Sequence, residues 1–162
     1  MLLYLLNQYE HVSYERVLSG LGLYNIYKFL RDTGRGDEPV WLADQMRLED
    51  PSAVISRAAL EGSCELCVHA LDEFISSYGA EAGNLALKFM ATGGVFVGGG
   101  IAPKIIQKLR GSAFMEAFVA KGRMKHLLES IPVRVILNDK TALVGAARYA
   151  MLRGSIKAFS PT

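Results

Sequence analysis

Gly93-Gly94-Val95-Phe96-Val97-Gly98-Gly99-Gly100-Ile101-Ala102-Pro103-Lys104 reads as strand, glycine turn and helix. Val95 to Val97 form a β-branched and aromatic run that suits a buried strand. Three glycines follow, so the backbone can turn sharply and a flat or charged group can approach it closely. Pro103 fits the first turn of a helix, where its missing N–H is not needed. A helix starting there aims free N–H groups and a positive dipole end outward, an arrangement suited to phosphate. The stretch is neither a P-loop, since no Gly-Lys-Ser/Thr ends it, nor the GxGxxG dinucleotide spacing. Two readings stay open from spacing alone: a tight strand-to-helix corner with no ligand, or one wall of a nucleotide site.

Downstream, Pro132-Val133-Arg134-Val135-Ile136-Leu137 is the second strand signal. Strands at 95–98 and 133–137, joined by short helices over 103–109 and 113–120, permit a right-handed parallel crossover. Two parallel strands do not make a stable sheet alone, because such sheets are covered on both faces. The sheet is therefore expected to be completed by absent or partner strands. Residues 141–152 read as an amphipathic helix, and 155–162 as a frayed tail.

Upstream the chain reads as helical. Residues 2–9 look like the end of an apolar helix with no N-cap, as if the chain began inside an element. Ser13 is a candidate N-cap, with Glu15 in the first turn where a carboxylate suits the dipole. Residues 21–30 continue as an apolar helix. Residues 34–39, Gly-Arg-Gly-Asp-Glu-Pro, form a polar loop and the best candidate for a mobile segment. Asp50-Pro51 opens a further helix running to about residue 61. Ser63 is expected to cap the next, from Cys64 to about Met90, with Leu66, Ala70, Leu71, Phe74, Ile75 and Tyr78 at helical spacing. Gly79 and Gly83 weaken its middle.

The 162 residues suffice for one domain with a real core. An apolar fraction of 51%, a charged fraction of 21% and a net charge of +2 belong to a soluble globular chain and give no argument for nucleic acid. Residues 1–6 are apolar but too short to cross a bilayer, and no membrane partner is expected. Two cysteines make no disulfide framework, so a reducing cytoplasm is the expected setting.

Cys64, Cys67 and His69 have CxxC spacing beside a histidine, but no second ligand pair supports zinc, and small packing residues is the reading adopted. His11 and His126 have no assignable partner. Lys121-Gly122-Arg123 could meet a phosphate or simply end a helix. No nucleophile-plus-base pair and no carboxylate cluster for Mg²⁺ stands out, so no catalytic and no metal residue is assigned.

Three segments in order resemble the bacterial-type glucokinase family. They are His11-Val-Ser-Tyr-Glu15-Arg-Val-Leu-Ser-Gly20 with Gly22-Leu-Tyr-Asn-Ile-Tyr27; Gly83-Asn-Leu-Ala-Leu87 running into Gly93 to Pro103; and Phe118-Val-Ala-Lys-Gly-Arg123, Ile131-Pro-Val133 and Leu143-Val-Gly-Ala-Ala147. The resemblance is to the C-terminal half. It implies an α/β fold, the helix-rich portion of a ribonuclease H-like, actin-like ATPase with few strands. Residues 1–140 would be a large-domain portion, and 141–162 a helix packing on an absent small domain.

The family's Asp-x-Gly-Gly-Thr-Asn phosphate loop, catalytic aspartate, second phosphate loop and Glu-Gly-Gly-His sugar motif are not found in this sequence. The resemblance implies that Glu15 binds glucose hydroxyls and that Gly98, Gly99, Gly100 and Ile101 lie against the nucleotide. It implies ATP and Mg²⁺ as cofactors, the metal held mainly by the missing half, and a chain inactive by itself. The alternative is a non-catalytic nucleotide- or sugar-binding module, or an oligomerising one; a homo-oligomer is expected. One departure is Leu21, where relatives often carry proline.

Overall fold

The chain opens on α1 (Leu2–Leu6), a short helix whose Leu5 is fully buried. Tyr4 anchors it to the next helix, donating to Asp32 Oδ2 at 2.6 Å and packing edge-on against Phe29. A single 3-10 turn, Tyr14–Arg16, leads into α2 (Gly20–Asp32). Ser13 precedes the turn without capping it; the capping side chain is Ser19, which accepts from the Gly22 N–H at 3.0 Å. The polar loop after α2 is anchored rather than loose. Glu38 accepts from the Tyr27 hydroxyl at 2.8 Å and from Arg31 at 3.1 Å, and Arg35 lies over the Phe29 ring.

Then come α3 (Val40–Leu48), α4 (Pro51–Glu61) and α5 (Glu65–Lys88). The sequence reading does not assign α3. Its cap position is Pro39, with no side-chain cap, and Leu42 is its one fully buried side chain, so it carries little of the signal of a core helix. α4 starts as expected: Asp50 accepts from the Ala53 N–H at 2.9 Å, and Gly62 closes the helix in the left-handed region. α5 begins from Cys64 rather than Ser63 and stops two residues short of Met90.

β1 (Val95–Val97) follows, then α6 (Ile101–Lys104), α7 (Ile106–Leu109), α8 (Ser112–Val119), α9 (Lys125–Glu129), β2 (Val133–Val135) and α10 (Thr141–Ala158). The expected helix over 103–109 starts two residues earlier and is broken at Ile105. The structure is a computed structural model that describes residues 1–158, with side chains as far as Arg153. Of the expected frayed tail, 155–158 are helical backbone and 159–162 lie outside the described residues.

α5 is the spine. Leu66, Cys67, Ala70, Leu71, Phe74 and Ile75 bury one side of it against α2 and α4, while its second half lies across α8. Here Gly79 and Gly83 earn their place. A Cβ on Gly79 would stand 2.1 Å from the Phe114 carbonyl oxygen, and one on Gly83 2.4 Å from that of Phe118. The backbones of α5 and α8 approach so closely that only hydrogen fits between them. Phe74, Tyr78, Phe114 and Phe118 form a chain of ring contacts across the crossing.

β1 and β2 pair in parallel, with Val95 beside Val133 and Val97 beside Val135, and form a two-stranded sheet among the described residues. The expectation of a buried first strand holds for Val97 only. Phe96 is exposed and has Arg134 over its ring. α10 differs too. Leu143, Val144, Tyr149 and Leu152 are spread round its circumference at 3.6 residues per turn, so it has no single apolar face, and every described side chain on it is exposed. Among the described residues no helix is long and apolar enough to cross a membrane.

Candidate functional site

The glycine turn opens onto a cavity of about 430 Å³. Gly100 and Ile101 form one side, and the starts of α2 (Ser19, Gly20) and α4 (Asp50, Ser52, Ala53, Ser56) form the other. The floor is core: Leu23, Leu71, Phe74 and Ile105 are buried side chains that also line it. Lys104 stands on the rim. Three segments far apart in sequence thus meet because α5 carries α2, α4 and the helices after β1 on its flanks.

The turn is open where it meets this cavity. A Cβ on Gly99 or Gly100 would find nothing within 4 Å. Gly99 has φ +104°, a backbone conformation that glycine adopts freely and side-chain-bearing residues avoid. Gly98 differs; the Ile136 side chain lies 3.4 Å from where its Cβ would be. The four turn residues are therefore not equivalent: Gly100 and Ile101 line the cavity, and Gly98 and Gly99 shape the corner behind it.

Glu15 is not a wall of this cavity. It sits on the 3-10 turn, exposed, and its side chain makes no hydrogen bond or ion pair with a described residue. Its backbone is tied to the cavity through one residue: Ser19 donates to the Glu15 carbonyl at 2.7 Å, caps α2, and lines the cavity. The turn is also wedged against α2, since a Cβ on Gly22 would stand 2.3 Å from the Val17 carbonyl. Asn25, fully buried, donates to the Arg16 carbonyl at 3.0 Å from the same helix.

The charge at the mouth belongs to Asp50 and Lys104. A hydrogen bond from the Ser52 hydroxyl, another from the Ala53 N–H and the charge of Lys104 hold the Asp50 carboxyl below the usual carboxylate range. Sequence reasoning found Asp50 as a cap and missed it as a wall. Ser19, Ser52, Ser56 and Lys104 were missed as well, because no local pattern reports which helix starts meet in space.

The remaining candidates lie elsewhere. Cys64 and Cys67 are buried free thiols, and burial pushes the Cys67 thiol well above its ordinary value. His69 is 3.8 Å from Glu65, and His126, for which no partner was expected, lies 3.2 Å from Glu129. Lys121 precedes a 3-10 turn, Gly122–Met124. Among the described residues no group of three His, Cys, Asp or Glu could hold a metal ion.

A family model described as Glucokinase matches residues 1–153. Glucokinase from Nostoc sp. (strain PCC 7120) is 46% identical over 93% of this chain and 48% of its own length. That of Synechocystis sp. (strain PCC 6803) is 44% identical over 91% of this chain and 45% of its own. A crystal structure of glucokinase from an Antarctic psychrotroph superposes with a TM-score of 0.76 at 36% identity, covering 90% of this chain and 42% of that one. Helices packed about a parallel strand pair with a glycine turn thus place the fold in the actin/hexokinase-like ATPase class. Within that class the chain belongs to the glucokinase family. It spans about half the length of the curated relatives it matches.

Proposed function

We propose that this chain supplies the adenosine-side wall and one sugar ligand of a glucokinase, which phosphorylates glucose with ATP. The observation that carries this reading is the cavity at the glycine turn, open at Gly100 and floored by apolar side chains. A purine ring needs such a slot: flat, mostly apolar, with a few polar groups at its edge. Backbone at Gly100 has no side chain to hold a ribose or base away. Leu23, Leu71, Phe74 and Ile105 exclude water from the ring's faces.

Glu15 is the proposed sugar ligand. Its free carboxylate can accept from two hydroxyls, and charge-assisted hydrogen bonds of that kind are the strong ones. The linkage through Ser19 gives a physical route by which a base in the cavity and a sugar at Glu15 are held in register. In-line phosphoryl transfer depends mostly on such positioning.

Mg²⁺ does not fit the residues present. Among the described residues Asp50 is the one carboxylate lining the cavity, and no group of three His, Cys, Asp or Glu gathers there to hold the ion. The metal and the group that takes the sugar's proton are assigned to the remainder of a full-length relative. The two free, buried thiols and a sugar-phosphorylating role support a cytoplasmic, glycolytic setting.

Calorimetric titration with adenosine, ATP and glucose tests the proposal. The expected result is heat with adenosine and ATP for both the wild-type chain and Glu15→Ala, heat with glucose for wild type alone, and no turnover by the chain by itself. Silence with every ligand would overturn it.

A further inference from the structure

The polar side chains of the cavity share one property. Each serine hydroxyl hydrogen is already spent: Ser19 on the Glu15 carbonyl, Ser52 on the Asp50 carboxylate and Ser56 on the Ala53 carbonyl. These directions are forced, because a carbonyl or an ionised carboxylate can only accept. Asp50 also accepts from the Ala53 N–H, so every hydrogen bond it makes is one it receives. What these four groups have left for a ligand is lone pairs. Among the described residues Lys104 is the only lining side chain with donors to spare, and it is exposed on the rim.

We infer that Asp50 and Ser52 make this cavity selective for a purine that presents a 6-amino group, rejecting the 6-oxo purines. The inference rests on the reading of the cavity as a base site. An amine turned toward Asp50 and Ser52 brings two N–H donors to a wall of acceptors. A keto oxygen in its place brings lone pairs against lone pairs and against a negative charge. A site built to pair a polar group discriminates sharply against an analogue that lacks it, because the site's own groups are then left unmatched.

Adenosine and inosine differ at this edge, and purine riboside carries neither amine nor oxygen. Affinities of the 162-residue chain for the three nucleosides are measured by calorimetry or by amide shifts of residues 98–102, 104 and 105. The expected order is adenosine, then purine riboside, then inosine, with adenosine at least about tenfold tighter than inosine, the size expected for one mismatched hydrogen bond at a half-open site.

Asp50→Asn keeps an oxygen to accept from Ser52 and the Ala53 N–H, and Asn caps helices about as well as Asp. It replaces the other oxygen with a donor, so the preference is expected to fall to near parity through a gain for inosine. Equal binding of adenosine and inosine by wild type, or an unchanged preference in Asp50→Asn, overturns the inference and leaves the base site standing. Binding of none of the three nucleosides overturns both.

Discussion

Gly79 and Gly83 show how one hydrogen atom in place of a methyl group sets the architecture. Inside an isolated helix, alanine is worth about 1 kcal/mol more than glycine, so Gly79→Ala and Gly83→Ala should stabilise on propensity alone. The structure predicts the opposite sign. The new methyl groups would meet the Phe114 and Phe118 carbonyl oxygens at 2.1 and 2.4 Å, and backbone does not step aside cheaply. Each change should cost about 1–3 kcal/mol, the range for overpacking, seen as a lower urea midpoint at unchanged slope. A midpoint that rises would show that the crossing of α5 over α8 is wrong. From the sequence these glycines read only as weak points in a helix, because propensity sees a helix's own backbone and not the one lying across it. Ser19 carries a second residue-level prediction. Ser19→Ala removes the α2 cap, worth about 1 kcal/mol, and frees the carbonyl of Glu15. Stability should fall by about that amount, and glucose heat should weaken more than adenosine heat, because the sugar ligand loses its tether while the cavity floor is untouched.

At the scale of the element, what was legible followed local chemistry. The strand, the glycine turn, the parallel crossover and the cap at Asp50 all declare themselves through neighbours in sequence. α3 did not, since its N-terminus lacks a polar cap and a single leucine, Leu42, does its fully buried packing. The cavity was illegible for a related reason: its walls are the starts of α2, α4 and α6, brought together by α5. Hydrogen-bonded carboxylates also shape the response to acid. The Tyr4 hydroxyl, with Arg31, holds the Asp32 carboxyl below its ordinary value, and the Ser52 hydroxyl does the same for Asp50. A carboxyl depressed in the folded state adds stability that is complete above its unfolded value, 3.8, and lost as pH falls through the folded one. Urea midpoints should therefore hold steady from neutral to about pH 5 and then decline through the carboxylate range. Asp50→Asn, which cannot ionise, should make that decline shallower. An identical acid profile in the variant would mean that the Asp50 carboxylate adds nothing to the folded state.

At the scale of the whole molecule, one side of the described fold is closed over a core and the other is open. α2, α4, α5 and α8 enclose a continuous core, while α10 carries Leu143, Val144, Tyr149 and Leu152 exposed around its whole circumference. Large apolar side chains are ordinarily buried, and a parallel strand pair is ordinarily covered on both faces. The relatives are about twice as long as this chain, and we propose that the portion of a glucokinase outside the match supplies the cover. Two consequences can be measured together by amide hydrogen exchange. In the chain alone, α10 should exchange with little protection and α5 at the rate of global unfolding. Leu143→Ser with Leu152→Ser should change the unfolding free energy by less than about 0.5 kcal/mol, as exposed substitutions do. Adding a polypeptide that supplies the unmatched part of the Nostoc relative should then protect α10 in the wild-type chain and not in the double variant. Protection of α10 in the chain alone that rises with its own concentration would point instead to pairing with a second copy. The assignment falls if the double variant gains the same protection as wild type, because the apolar ring of α10 would then have no part in the contact.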